Sequence, residues 1–143
     1  MAPFVVLVVS FLLFRVIGFF ELPLDDWQTS LRLALALMLF FTAMAHWGKR
    51  RSTLISMVPA SLPNPPLVVT ITGVLEIIGA IGLLLPATSR IASICLALLL
   101  MMMFPANIRA AKLGVKMKEK RVTSILPRTI LQGIFVAAVL LAG

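Results

Sequence analysis

Three polar side chains interrupt long apolar stretches where they could do chemistry: His46 at the end of "TAMAHW", Glu76 inside "TGVLEIIGAIG", and Asn107 within "FPANI". A histidine near neutral pH can donate or accept a proton, and an asparagine can hold a carbonyl or a hydroxyl. Thr42 stands one helical turn before His46 and shares its face. Together His46 and Asn107 could bind the polar head of an otherwise lipid-like molecule, while Glu76 handles a proton or binds a ligand. Each also has a plainer reading, with His46 a solvated end residue beside an anchoring Trp47 and Glu76 a buried acid that only fixes helix register.

Other reactive side chains narrow quickly. Cys95 is the sole cysteine, so neither an intrachain disulfide nor dithiol redox chemistry is open to the chain. It reads as a small packing residue. The three methionines at 101–103 point in different directions on a helix and cannot converge on one soft metal ion, so no metal site is expected. The sequence also lacks a haem, flavin or iron–sulfur ligation pattern. Electron transfer would have to borrow a cofactor from a quinone or a partner.

The elements that must position these groups are membrane helices. Of 143 residues, 61% are hydrophobic and 13% charged, and the mean hydropathy is +1.10; soluble domains hold roughly 45–50% apolar residues. This length predicts one integral-membrane domain over residues 1–143, with no room for a separate soluble catalytic domain. Five windows, at 3–20, 31–47, 67–85, 91–108 and 126–142, approach or reach the ~17–25 apolar residues needed to cross the hydrocarbon core. The fold class is therefore all-α, a polytopic membrane helical bundle of five predicted spans. A four-span bundle with one re-entrant segment is the alternative, because Pro105 and Asn107 stand near the end of the fourth window. The first window lacks a basic start and a small-residue cleavage pattern and carries Arg15, so it reads as a retained span rather than a secretion signal.

Charge sets the orientation. If five helices alternate, Lys49, Arg50, Arg51, Arg109, Lys112, Lys116, Lys118, Lys120, Arg121 and Arg128 fall on the side of the amino terminus, which is 10 of the 13 basic residues. Arg32 and Arg90 fall on the other side. The positive-inside rule then places the amino terminus in the cytoplasm and the carboxyl terminus outside, with Glu21, Asp25 and Asp26 in the first external loop. The net charge of +8 follows from topology control and attraction to anionic membrane lipid. Nucleic-acid binding would need a basic face on a folded polar domain, which this chain lacks.

Along the third helix Thr72, Gly73, Glu76, Gly79, Ala80 and Leu83 share one face. Small residues let helices approach closely in lipid, so Glu76 points into the bundle, although the same stripe is compatible with a homo-oligomer. Facing lipid would cost the acid on the order of 3 kcal/mol or more. Counting rise along the helices puts Arg15 roughly 18 Å from Pro3 and Glu76 roughly 14 Å from Leu67, at similar depth. An Arg15–Glu76 ion pair is therefore feasible. The segment at 52–66 is too short and polar to span and reads as an interfacial helix or flap over the mouth of the pocket, or as a plain connector.

"TAMAHW", "MVPASLPNPP", "TGVLEIIGAIGLLLP" and "FPANI", in that order, resemble the DoxX family of small bacterial inner-membrane proteins, over a core of approximately residues 31–142. The resemblance implies a four-helix membrane bundle to which the first window adds an amino-terminal span. Some members are similar to a subunit of thiosulfate:quinone oxidoreductase, and others are linked to membrane complexes handling thiol or oxidative stress. His46, Glu76 and Asn107 match polar positions of the shared segments, without established catalytic roles.

Two functions follow. One is a redox-linked membrane subunit that binds a quinone or similar lipophilic molecule and works with a soluble or membrane redox partner. In it His46 and Asn107 hold the polar end, and Glu76 relays or stores a proton. The other is a non-catalytic scaffold that recruits a soluble partner through the basic cytoplasmic loop at 109–121.

Overall fold

The computed structural model describes residues 2–20, 26–113, 116–117, 120–121 and 125–143. The external placement of Glu21 and Asp25, and the parts of the basic loop that rest on the side chains of Lys116, Lys118, Lys120 and Arg121, lie outside the described residues. The helices are α1 (Ala2–Gly18), α2 (Trp27–Ala43, drawn into a 3-10 turn over Met44–His46), α3 (Arg51–Met57), α4 (Pro65–Leu84), α5 (Ser89–Leu113) and α6 (Ile125–Ala142). A two-residue antiparallel pairing joins Lys116–Met117 to Lys120–Arg121.

Among the described residues four stretches are long and apolar enough to cross a membrane, Trp27–His46, Pro65–Leu84, Ser89–Lys112 and Ile125–Ala142, and α1 is a shorter apolar helix. Pro105 lies inside α5, which continues past it to Leu113. A proline removes one backbone hydrogen bond, which neighbouring side chains can replace in a packed bundle. The carbonyl that Pro105 cannot reach is that of Met101, and Gln132 of α6 donates to the adjacent carbonyl of Leu100.

The four long helices close a ring in which α2 packs on α4, α4 on α5, α5 on α6 and α6 back on α2. α1 lies outside the ring against α2, and α3 crosses one end, against α4 and α5. Leu35, Leu39, Leu83, Leu96 and Val139 fill the centre. Gly79 lets α4 approach α5, since a β-carbon there would collide with the Leu96 side chain. The outer surface is apolar, with Val9, Ile78, Ile91, Met102 and Leu141 exposed, while Ser30, His46, Glu76, Ser89 and Ser93 are buried. That inside-out distribution is what hydrocarbon demands of a bundle.

The helix ends are tied with polar side chains. Asp26 caps α2 by accepting from the amides of Gln28 and Thr29. At the same end of the bundle Arg32 donates to the carbonyl of Ala142 at 2.7 Å, and Gln28 donates to that of Leu141. These bonds satisfy terminal carbonyls of α6 and set a cation at its negative pole. Arg32, which charge counting leaves as an exception on the outer side, thus has a structural task.

Candidate functional site

His46 reaches the interior because α2 tightens at its end. The 3-10 turn swings the imidazole inward, leaving His46 3% exposed while its neighbour Trp47 is 47% exposed. The two rings meet edge to face with centroids 6.2 Å apart. His46 is therefore not a solvated end residue, as its plainer reading would have it. The ring rests on Gly73 of α4, where a β-carbon would stand 2.7 Å from Nδ1. Nδ1 is buried with no hydrogen-bond partner among the described residues, and Nε2 lies 3.9 Å from Oε1 of Glu76.

Glu76 sits on the buried stripe of α4 with Val69, Gly73, Gly79, Ala80 and Leu83, close to the face expected from spacing. Its Oε2 is 2.9 Å from the Thr42 hydroxyl, which is also 2.9 Å from the carbonyl of Leu39. A hydroxyl has one proton and accepts through its lone pairs. With Glu76 ionised, Thr42 donates to the carboxylate; with Glu76 protonated, the acid donates to Thr42, which then donates to Leu39. The same geometry serves both protonation states.

A cavity of about 410 Å³ opens beside these groups, within the range of roughly 300–1,000 Å³ typical of small-molecule sites. Thr42, His46 and Glu76 form one wall, Asn107 of α5 with Arg128 and Gln132 of α6 form the other, and Met38, Leu39, Leu100, Met103 and Phe135 supply apolar surface. His46, Glu76 and Asn107, which sequence spacing places in two separate clusters, line one space. On the far wall Arg128 Nη1 donates to Asn107 Oδ1 at 3.1 Å and to its backbone carbonyl at 3.4 Å, while Asn107 donates to Gln132 Oε1 at 3.4 Å. The chain of bonds fixes the Asn107 amide with its oxygen toward Arg128.

Near the mouth, Arg50, with Leu54 and Met57 of α3, lines the same space, as do Ala2 and Pro3 of α1. A helix over the mouth thus forms, at the start of the segment whose composition left open a flap or a connector. Arg51 pins it, donating from Nη1 to the His46 carbonyl at 2.7 Å and from Nη2 to Thr70 Oγ1 at 2.9 Å and the Pro66 carbonyl at 3.0 Å. One guanidinium therefore joins the end of α2, the start of α3 and the first turn of α4.

Among the described residues the contacts of the Glu76 carboxyl are with Thr42 and His46, and the expected ion pair with Arg15 is not one of them. Arg109, two residues beyond Asn107, does not line the cavity, because two residues turn a helix by roughly 200°. Arg128 takes that place, a residue that sequence reading counts only as a topology cation. Gln132 faces inward as well. Cys95 is exposed rather than packed inside. Among the described residues no three His, Cys, Asp or Glu side chains gather to hold a metal ion.

Residues 35–142 match the family described as a domain of unknown function, DUF8561. That match covers well over half of the chain, and the protein belongs to this family. No curated protein and no solved structure matches it.

Proposed function

We propose that the bundle binds a lipophilic molecule with a polar, hydrogen-bonding head, a quinone or similar compound, and serves as a redox-linked subunit of the DoxX type in the bacterial inner membrane. The observation that carries this reading is that His46, Glu76 and Asn107 line one cavity over an apolar interior. Its volume, its paired polar walls and its placement between apolar helices all fit a flat ring with a hydrocarbon tail. A bound quinone would supply two-electron, two-proton chemistry, with electrons delivered by a partner.

The chain's own residues bind and handle protons. Asn107, held by Arg128 and Gln132, and the His46 imidazole hold the polar head. Glu76 exchanges a proton with the cavity without rebuilding its surroundings, because Thr42 bonds either form of the acid. In the proposed topology α1 is a fifth span, the amino terminus is cytoplasmic and the carboxyl terminus lies outside. The cluster of Lys49, Arg50 and Arg51 at the end of α2 supports this orientation.

Thermal melts in detergent with and without a menaquinone analogue test the reading. Saturating analogue raises the melting temperature of the wild type, and Glu76→Gln abolishes the rise while remaining folded. No shift at any concentration contradicts it, and a soluble protein retained on the basic loop instead would favour the scaffold.

A further inference from the structure

The run "GKRR" at 48–51 divides its three cations between two tasks. Arg51 is committed to the protein through three acceptors. Lys49 is exposed and Arg50 half-buried, and neither side chain makes a hydrogen bond or ion pair among the described residues. Both line a second, smaller hollow of about 220 Å³ on the flank of α2, whose remaining walls are Phe41, Met44, Ala45 and Gly48. Met44 is 73% and Phe41 42% exposed. Two unpaired cations thus stand at the end of a candidate span, directly beside an apolar groove on its outward face.

We propose that this groove seats one anionic phospholipid of the surrounding membrane, its phosphate between Lys49 and Arg50 and the upper part of an acyl chain along Phe41 and Met44. Charge complementarity selects the occupant. A zwitterionic lipid brings its own ammonium group beside Lys49 and Arg50 and so leaves their charge unbalanced, and a free phosphate leaves the apolar groove uncovered. The exposed Trp47 at the same level anchors the helix end at headgroup depth. The groove shares Phe41, Ala45 and Arg50 with the main cavity, so the seated lipid lies along the wall that separates that cavity from the bilayer. The seat stands or falls independently of what the cavity binds.

Native mass spectrometry from nanodiscs of equal phosphatidylglycerol and phosphatidylcholine tests it. The wild type retains phosphatidylglycerol preferentially. Lys49→Gln lowers that preference on the order of fivefold, and Lys49→Gln with Arg50→Gln removes it, as expected for basic side chains at an anionic surface. Lys49→Arg with Arg50→Lys keeps it, and Lys112→Gln, which removes a cation on the same side but outside the groove, leaves it unchanged. Equal retention of the two lipids by the wild type would overturn the proposal. So would a preference that survives the double glutamine variant, or one that Lys112→Gln reduces as strongly as Lys49→Gln does.

Discussion

The imidazole of His46 rests on the bare backbone of Gly73, so closely that a β-carbon at residue 73 would stand 2.7 Å from Nδ1 and 2.8 Å from Cβ and Cγ of the ring. Gly73→Ala must push the ring off α4 and away from Glu76. Overpacking of this kind costs about 1–3 kcal/mol, which outweighs the gain of about 1 kcal/mol from removing a helical glycine. Gly133 on α6 has open space at the same test. Gly133→Ala should therefore raise the melting temperature in detergent and Gly73→Ala should lower it.

Thr42 and Glu76 separate structure from function. Thr42→Val keeps the shape of the side chain and leaves a buried carboxyl without its 2.9 Å bond, so stability should fall by about 1–3 kcal/mol. Glu76→Gln retains an acceptor for Thr42 and should melt within about 1 kcal/mol of the wild type. Denaturation of the three proteins side by side measures both.

Arg51→Lys tests whether the mouth helix is pinned by a guanidinium or by charge alone. An ammonium cannot span the three acceptors that the fork reaches, and hydrogen bonds to a charged group are worth about 1.5–3 kcal/mol each. The variant should melt at a lower temperature and be cut faster by protease within 51–64, with α6 unaffected.

Arg32→Gln acts at the opposite end. Loss of the 2.7 Å bond to the Ala142 carbonyl should cost about 0.3–1 kcal/mol and speed hydrogen exchange in the last turn of α6. The ligand-induced melting shift should be unchanged, since Arg32 does not line the cavity.

Much of the bundle is legible in the sequence because hydrocarbon imposes one rule on every span. Apolar length alone locates the helices, and α4 and α6 begin and end within two residues of the expected windows. The buried stripe of α4 is equally legible, since small residues and one acid recur at helical spacing. Which neighbours a buried acid meets is not legible: spacing along α4 turns Glu76 inward, and only the packing of α2 on α4 brings Thr42 and His46 to it. Pro105 misleads in a similar way, because a proline ends a helix in water yet persists inside α5, where a neighbouring helix supplies polar groups. Arg128 shows the third limit. A basic residue near the start of a span satisfies the charge rule, and only the packing of α6 on α5 reveals that it holds Asn107.

The central claim is that His46, Glu76 and Asn107 line a working site for a lipophilic molecule, and native mass spectrometry of the protein gently extracted from its own membrane tests it most directly. The account predicts a co-purifying lipophile with a carbonyl-bearing head, retained by the wild type and absent from folded Glu76→Gln and His46→Ala variants. A wild type that emerges without a lipophile, or a molecule bound equally by all three proteins, would contradict it.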